Sequence, residues 1–232
     1  MNDNNRRVVG WVALLAAPLG LFNVYCYMMA VGGDTEAMFK PAVALTLSEA
    51  SQHWFMTAMV ADSFSFYLPF LLIGAFVWAQ LRPRGGSQND AAALALTVYV
   101  LLGIAGTSMQ FAALPALAKA HAAGDAMVRA ASESAWLALV TATERGLWWI
   151  EGPLMAYWGW VTGRALQREG WGAGRMLMGA GVLYAVIFLW ELFGGGKQGE
   201  ELLLIVLTVL VPLWLVMFGV GLLRGKFGPV QA

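Results

Sequence analysis

The segment EELLLIVLTVLVPLWLVMFGVGLLR, residues 200–224, decides the class of the fold. A transmembrane helix needs about twenty consecutive apolar residues, and this run of leucine, valine and aromatic side chains is long enough. Similar apolar runs precede it at residues 8–31, 53–81, 91–117, 135–163 and 174–195. A membrane β-barrel would instead show alternating segments of about ten residues. The sequence therefore predicts an all-α membrane protein, a bundle of six transmembrane helices.

The composition of the chain agrees with this class. Of its 232 residues, 59% are hydrophobic and only 12% are charged, and the mean hydropathy is +0.65. Soluble domains carry about 25% charged residues. The net charge is zero and no basic cluster stands out along the sequence, so we expect no nucleic-acid partner. One cysteine and two histidines are too few for a zinc or haem site, so we expect no metal and no cofactor.

Basic residues in the short connections predict the orientation of the bundle. One side holds Arg6, Arg7, Arg82, Arg84, Arg164, Arg168, Arg175, Arg224 and Lys226. The other side holds Lys40, Lys119, Arg129 and Lys197. Because short cytoplasmic loops carry the excess of Lys and Arg, we expect both termini in the cytoplasm, as in a multi-pass protein of the bacterial cytoplasmic membrane. The first run shows no clear cleavage site after its basic flank, which indicates a retained helix.

Two connections on the outer side are longer than a turn, residues 32–52 and 118–134. Both contain enough apolar residues for a short helix at the membrane interface. The sequence is equally compatible with plain loops.

The segment TATERGLWWIEGPLMAYWGWVTG, residues 141–163, places ionisable groups inside a predicted span. Charged side chains at membrane depth cost free energy and usually face the bundle interior or a wet cavity, so each is a candidate site residue. Glu144 and Asp62 are each predicted about nine residues, roughly 13 Å, below the outer surface. Glu151 follows Glu144 by seven residues and shares its helical face, with Trp148 between them.

Neighbouring spans offer further polar groups in the same half of the bilayer. These are Asn23, Gln110 and Glu191, which line one pocket with the carboxyl groups if they face inward. Two interpretations stay open. Either Arg145 neutralises a carboxylate and the cluster only fixes helix packing, or a carboxyl group in an apolar site acts as a general acid.

Three pieces of the sequence resemble the emopamil-binding-protein family, also called the EXPERA domain. Glu144 precedes Gly152-Pro153-Leu154 and Trp158, which resembles a family helix with a functional glutamate eight residues before a Gly-Pro-Leu turn. GVLYAV at residues 181–186 resembles the family's Gly-x-x-Tyr stretch. PLWLVMFGV at residues 212–220 resembles the segment with its binding-site tryptophan, which would be Trp214.

The resemblance implies a five-helix EXPERA-like membrane domain over residues 53–224. Residues 1–52 would add an N-terminal transmembrane helix with its outer connection, and residues 225–232 a cytoplasmic tail. It also implies a sterol-like ligand inside the membrane and a cofactor-independent shift of a ring double bond from Δ8 to Δ7, with Glu144 as the proton donor. The residues expected around the ligand are Asp62, Gln110, Arg145, Trp148, Glu151, Tyr184, Glu191 and Trp214.

One departure from the family pattern divides the functional hypotheses. The family's second helix carries a His and, four residues later, a Glu, where this sequence has Gly106 and Gln110. The chain is then either a sterol or isoprenoid isomerase with a substitute carboxylate, or a lipid-binding, chaperone-like protein without catalysis. A proton-coupled transporter is a third hypothesis, disfavoured because no inverted repeat or broken helix is apparent. A homodimer stays open.

Overall fold

Every regular element in residues 3–225, the part of the chain that the computed structural model describes, is helical. The side chains of Lys197, Gln198 and Glu200 lie outside this description, as does Lys226 with the rest of the predicted tail. The α-helices are α1 (Asp3–Val31), α2 (Pro41–Ala44), α3 (Glu49–Asp62), α4 (Leu68–Ala123), α5 (Ala126–Ala142), α6 (Glu151–Arg168), α7 (Ala173–Leu192) and α8 (Lys197–Leu223). Two π-helical segments, π1 (Ser63–Tyr67) and π2 (Thr143–Leu147), continue α3 and α5. The predicted all-α class is confirmed.

Four helical stretches are long and apolar enough to cross a membrane: Asp3–Val31, Glu49–Ala123, Ala173–Leu192 and Glu201–Leu223. Their outward surfaces are apolar, and Leu15, Leu94 and Leu202 are each more than 60% exposed. Such a surface suits lipid rather than water. The predicted run at 135–163 is not among the four stretches, and its helix is interrupted between α5 and α6.

Helix α4 reverses direction at Gly86, where φ is 52° and ψ is −135°. This left-handed backbone region is accessible to glycine at little cost. The reversal folds the first arm, residues 68–85, against the second arm, residues 87–123. The indole of Trp78 donates to Asp90 at 2.7 Å, and the Asn89 amide donates to the Leu81 carbonyl at 2.7 Å.

The helices pack around an aromatic core. Phe70 lies 5.7 Å from both Trp158 and Trp214, measured between ring centroids. Helices α6 and α7 approach closely at glycine, since a Cβ on Gly159 would lie 3.0 Å from the Cα of Gly181. Small residues of this kind are typical of helix packing within membranes.

Residues 32–48, the outer strap, cover the end of the bundle that is predicted to face outward, which we call the outer end. The strap contains α2 and a 3₁₀ turn at Ala37–Phe39, and the Trp136 indole donates to its Met38 carbonyl at 2.8 Å. Lys40 lies 2.7 Å from Asp34 and holds the pKa of that carboxyl below its ordinary value. The strap is thus a packed segment with short helical turns. The second outer connection is helical except for a break at residues 124–125.

Candidate functional site

Two of the helices widen into π-helix next to acidic residues. Asp62 ends α3 directly before π1, and Glu144 is the second residue of π2. In π2 the amide of Trp148 donates to the Thr143 carbonyl at 2.9 Å, five residues back. Segments of this kind are rare and occur frequently at functional sites.

Hydroxyl side chains at the start of both π segments explain their position. The Ser63 hydroxyl donates to the Met59 carbonyl at 3.1 Å, and the Thr143 hydroxyl donates to the Leu139 carbonyl at 3.0 Å. Such bonds compete with the regular helical ladder and often bend a helix. After π2 the chain makes one turn, and α6 begins at Glu151. The sequence predicted that Glu144 and Glu151 share one continuous α-helix. This prediction is wrong, because Glu144 lies in π2 and Glu151 begins α6.

A cavity of about 320 Å³, the main cavity, lies between the two π segments, α7 and α8. Four carboxyl groups reach it, those of Asp62, Glu144, Glu151 and Glu191. Its aromatic wall consists of Phe66, Tyr67, Tyr99, Trp148, Trp149, Tyr184 and Phe188. Its aliphatic wall consists of Ile187, Leu204, Leu207 and Val211. The cavity thus combines acid groups with an apolar lining.

Tyr67 connects two of the carboxyl groups. Its hydroxyl donates to Glu151 Oε2 at 3.5 Å and also contacts the Asp62 carboxyl. Asp62 in turn accepts a bond of 3.0 Å from the Asn23 amide. Glu151 is only 7% exposed, and its second oxygen, Oε1, has no hydrogen-bond partner in the described part of the chain. A buried acceptor without a partner is costly, so this oxygen is free to meet a polar group of a ligand.

Glu144 is held from the side by Gln110. The Gln110 amide nitrogen donates to the Thr143 hydroxyl at 2.8 Å and lies 3.5 Å from Glu144 Oε1. The Trp148 indole fills the space beside Gly106, where an added Cβ would overlap the indole nitrogen. Neither that indole nitrogen nor the Gln110 oxygen has a partner among residues 3–225. An indole and an amide therefore lie where the resemblance to the EXPERA family would place a histidine and a glutamate.

A second cavity, the outer vestibule, continues the main cavity toward the outer strap. Its volume is about 580 Å³, and it shares Glu144, Trp149 and Glu191 with the main cavity. The Arg145 guanidinium lies here, 4.7 Å from the centre of the Phe39 ring. No ion pair joins Arg145 to Asp62, Glu144 or Glu151. Arg145 therefore forms no direct ion pair with these three carboxyl groups, and the interpretation in which it neutralises one of them stays a prediction.

The structure brings together six of the nine residues predicted for the site. These are Asp62, Glu144, Trp148, Glu151, Tyr184 and Glu191. Gln110 lies behind Glu144, and Arg145 lies in the outer vestibule. Trp214 does not line the main cavity: it is 1% exposed and stacks in the aromatic core against Phe70 and Trp158.

Sequence reasoning missed the tyrosine pair in the main cavity. The rings of Tyr67 and Tyr99 lie 5.3 Å apart, and both line the cavity. Five residues of α-helix rotate a side chain by about 140°, which would turn Tyr67 away from Asp62. The π segment removes that rotation. The only signal in the sequence is the polar run Asp62, Ser63 and Ser65 within an apolar span.

No protein-family model matches this sequence, and neither the curated proteins nor the solved structures include a significant match to it. The resemblance to the EXPERA family therefore stays a prediction.

Proposed function

We propose that the protein binds a sterol or another polycyclic isoprenoid in the main cavity and moves a ring double bond of that ligand by proton transfer. The single observation that carries this proposal is the grouping of buried carboxyl groups in one aromatic cavity, with Glu151 Oε1 unpartnered. Carboxyl groups placed in this way supply an acid and a base to the same ligand. The reaction requires no cofactor.

The lining of the main cavity favours an apolar, ring-shaped ligand. Aromatic and aliphatic side chains form most of its walls, and its volume falls in the range of about 300–1,000 Å³ that is typical of small-molecule sites. Aromatic faces next to carboxylates also stabilise positive charge. The cavity is therefore suited to a ligand with a cationic group or to a carbocation formed during a reaction.

In the proposed reaction Glu144 donates a proton to one alkene carbon, which forms a C–H bond and leaves a carbocation on the neighbouring carbon. The faces of Trp148 and Tyr184 stabilise this cation. Glu151, oriented by the Tyr67 hydroxyl, then removes a proton from an adjacent carbon. The electron pair of the broken C–H bond forms the new double bond between this carbon and the cationic carbon. No atom is oxidised or reduced, and proton exchange with water through the outer vestibule restores the starting state.

A non-catalytic lipid-binding or chaperone-like protein is the second candidate. It is favoured by the Trp148 indole over Gly106 and by the Gln110 amide, since neither replaces the histidine and the glutamate of the family as an acid or base. In that case Glu144 serves to hold a cationic or hydroxyl-bearing ligand. The expectation of unbroken helices was wrong, because the helix is interrupted between α5 and α6. A proton-coupled transporter therefore stays the third candidate.

The proposal includes a topology of six membrane crossings with both termini in the cytoplasm. The reversal at Gly86 divides α4 into two antiparallel arms, which supports separate crossings for the predicted runs 53–81 and 91–117. The excess of arginine at the end that holds this turn, the inner end, supports its cytoplasmic position.

The test incubates the purified protein in nanodiscs with a Δ8-sterol in deuterated water. The proposal predicts a Δ7-sterol that carries deuterium, and loss of turnover in Glu144→Gln. The control is Glu49→Gln, because Glu49 is an exposed acid far from the main cavity. Saturable sterol binding without turnover in the wild type would favour the non-catalytic candidate. Absence of binding would contradict both, and ligand uptake into vesicles driven by a pH gradient would favour the transporter.

A further inference from the structure

A separate cavity of about 320 Å³ lies at the inner end, where the Gly86 turn meets the end of α6. We call it the arginine cavity because three arginines line it, Arg84, Arg164 and Arg168. Arg84 is far from Arg164 and Arg168 in sequence, and the three form no basic run. Only the fold brings them together.

The arginine cavity has unbalanced positive charge. Arg84 is paired with Glu169, with 2.9 Å between Nη1 and Oε1. Arg164 and Arg168 form no hydrogen bond or ion pair with any other residue of the described range. They are four residues apart on α6, a spacing at which like charges on one helix face repel. Two guanidinium groups therefore remain available for an anion.

The Gly86 turn is held in place on its own side of the arginine cavity. The Arg82 guanidinium lies 5.2 Å from the centre of the Trp78 ring and donates to Asp90 at 3.1 Å. Asn89 is packed so closely under the turn that a Cβ on Gly85 would overlap its amide nitrogen. These contacts fix the backbone from which Arg84 projects, so that less ordering is needed when an anion binds.

Beside the arginines and the polar side chains of Gln88 and Asn89, part of the wall of the arginine cavity is apolar, and the proposed topology places it near the membrane interface. Tyr157 and Trp160 line it and are 41% and 45% exposed. Aromatic residues of this kind are enriched where headgroups meet the hydrocarbon. Leu81 and Val161 belong to the same apolar part of the wall. The arginine cavity therefore joins a cationic end to an apolar end.

We infer that the arginine cavity binds the headgroup phosphate of an anionic membrane phospholipid, such as phosphatidylglycerol. Arginine matches phosphate oxygens with paired hydrogen bonds. Basic pockets between helices on the cytoplasmic side are typical sites for anionic headgroups. The apolar wall would accept the first part of the acyl chains. This inference rests on the proposed cytoplasmic position of the inner end but not on the proposed reaction, because the arginine cavity shares no residue with the main cavity.

The test titrates the full-length protein in detergent with phosphatidylglycerol and with phosphatidylcholine of the same chains, and measures bound lipid by native mass spectrometry. We expect Arg164→Ala/Arg168→Ala to weaken phosphatidylglycerol binding at least about tenfold, because two charge-assisted bonds are lost. The matched control is Arg7→Ala/Arg175→Ala, which removes two exposed arginines of the same end that lie outside the arginine cavity. Phosphatidylcholine should bind weakly in all cases.

Two results would overturn the inference. One is equal phosphatidylglycerol affinity in the cavity variant and in the control. The other is full displacement of the lipid by millimolar inorganic phosphate, which would assign the arginine cavity to a soluble anion. If the double alanine variant does not fold, Arg168→Lys replaces it. Lysine keeps the charge but lacks the paired hydrogen bonds of a guanidinium, so it should weaken phosphatidylglycerol binding measurably, and unchanged affinity would contradict the inference.

Discussion

At the residue scale, the Tyr67 hydroxyl is the group that positions Glu151 in the main cavity. Tyr67→Phe should lower kcat of the proposed isomerase about tenfold, because a hydrogen bond to a charged group contributes about 1.5–3 kcal/mol. KM should change less, since the ring that contacts the ligand remains. Turnover is measured by deuterium incorporation into the product. The control is Tyr157→Phe, which removes a hydroxyl outside the main cavity. An unchanged kcat in Tyr67→Phe would contradict the role of the Tyr67 hydroxyl in positioning Glu151.

Gly106 is a second residue whose role follows from a distance. Gly106→Ala should destabilise the protein by about 1–3 kcal/mol, because the added methyl would overlap the Trp148 indole in a packed interior. The displaced indole should also weaken ligand binding. Gly179→Ala is the matched control, since a Cβ there meets nothing within 4 Å and alanine favours a helix. Denaturant unfolding in detergent, followed by tryptophan fluorescence, measures the stability of both variants. Equal stability of the two variants would contradict the contact.

At the element scale, the π2 segment depends on the Thr143 hydroxyl. This hydroxyl donates to the Leu139 carbonyl and accepts from the buried Gln110 amide. Thr143→Val should cost about 1–3 kcal/mol of unfolding free energy, because the Gln110 amide is left without its partner. The control is Thr97→Val, because the exposed Thr97 hydroxyl also donates to the carbonyl four residues back, that of Ala93. This variant should change the unfolding free energy by less than about 0.5 kcal/mol.

The stability loss in Thr143→Val has two possible sources, the bond to the Leu139 carbonyl within the helix and the contact with Gln110. Calorimetry or chemical denaturation of the Thr143 and Thr97 variants distinguishes them. If both lose the same stability, the bond within the helix accounts for the effect. Only a larger loss in Thr143→Val assigns it to the contact with Gln110.

The elements also show what the sequence could predict and why the rest was missed. The apolar runs follow from hydropathy alone, and a carboxyl group at membrane depth indicates an interior site, as the positions of Asp62 and Glu144 illustrate. The π segments depend on single hydroxyl side chains and on tertiary contacts such as Ser63 with Thr107 at 3.0 Å. No periodicity of the sequence encodes them. Trp214 was misplaced because it was assigned by resemblance, while its packing depends on Phe70 and Trp158.

At the scale of the whole molecule, the two ends of the bundle differ in chemistry. The outer end holds the vestibule with its acidic side chains, and the inner end holds the arginine cavity. The main cavity was largely predictable, because counting residues from the predicted outer ends of the spans places polar groups of several spans at one depth. The arginine cavity was not, because Arg84 and Arg164 meet only after the chain reverses at Gly86.

The topology is tested by one cysteine at the start of the second arm of α4 and another in the first turn of α5, which follows that arm directly. This arm is roughly 55 Å long, more than the hydrocarbon thickness of about 30 Å, so both of its ends should reach water. In a Cys26→Ala background, Met127→Cys should react with an impermeant maleimide in intact spheroplasts, because Met127 is 81% exposed at the outer end. Ser87→Cys should react only after the membrane is permeabilised, since the positive-inside rule places its turn in the cytoplasm. The reverse pattern would invert the bundle and open the main cavity to the cytoplasm, whereas labelling of both cysteines in intact cells would contradict a crossing between them.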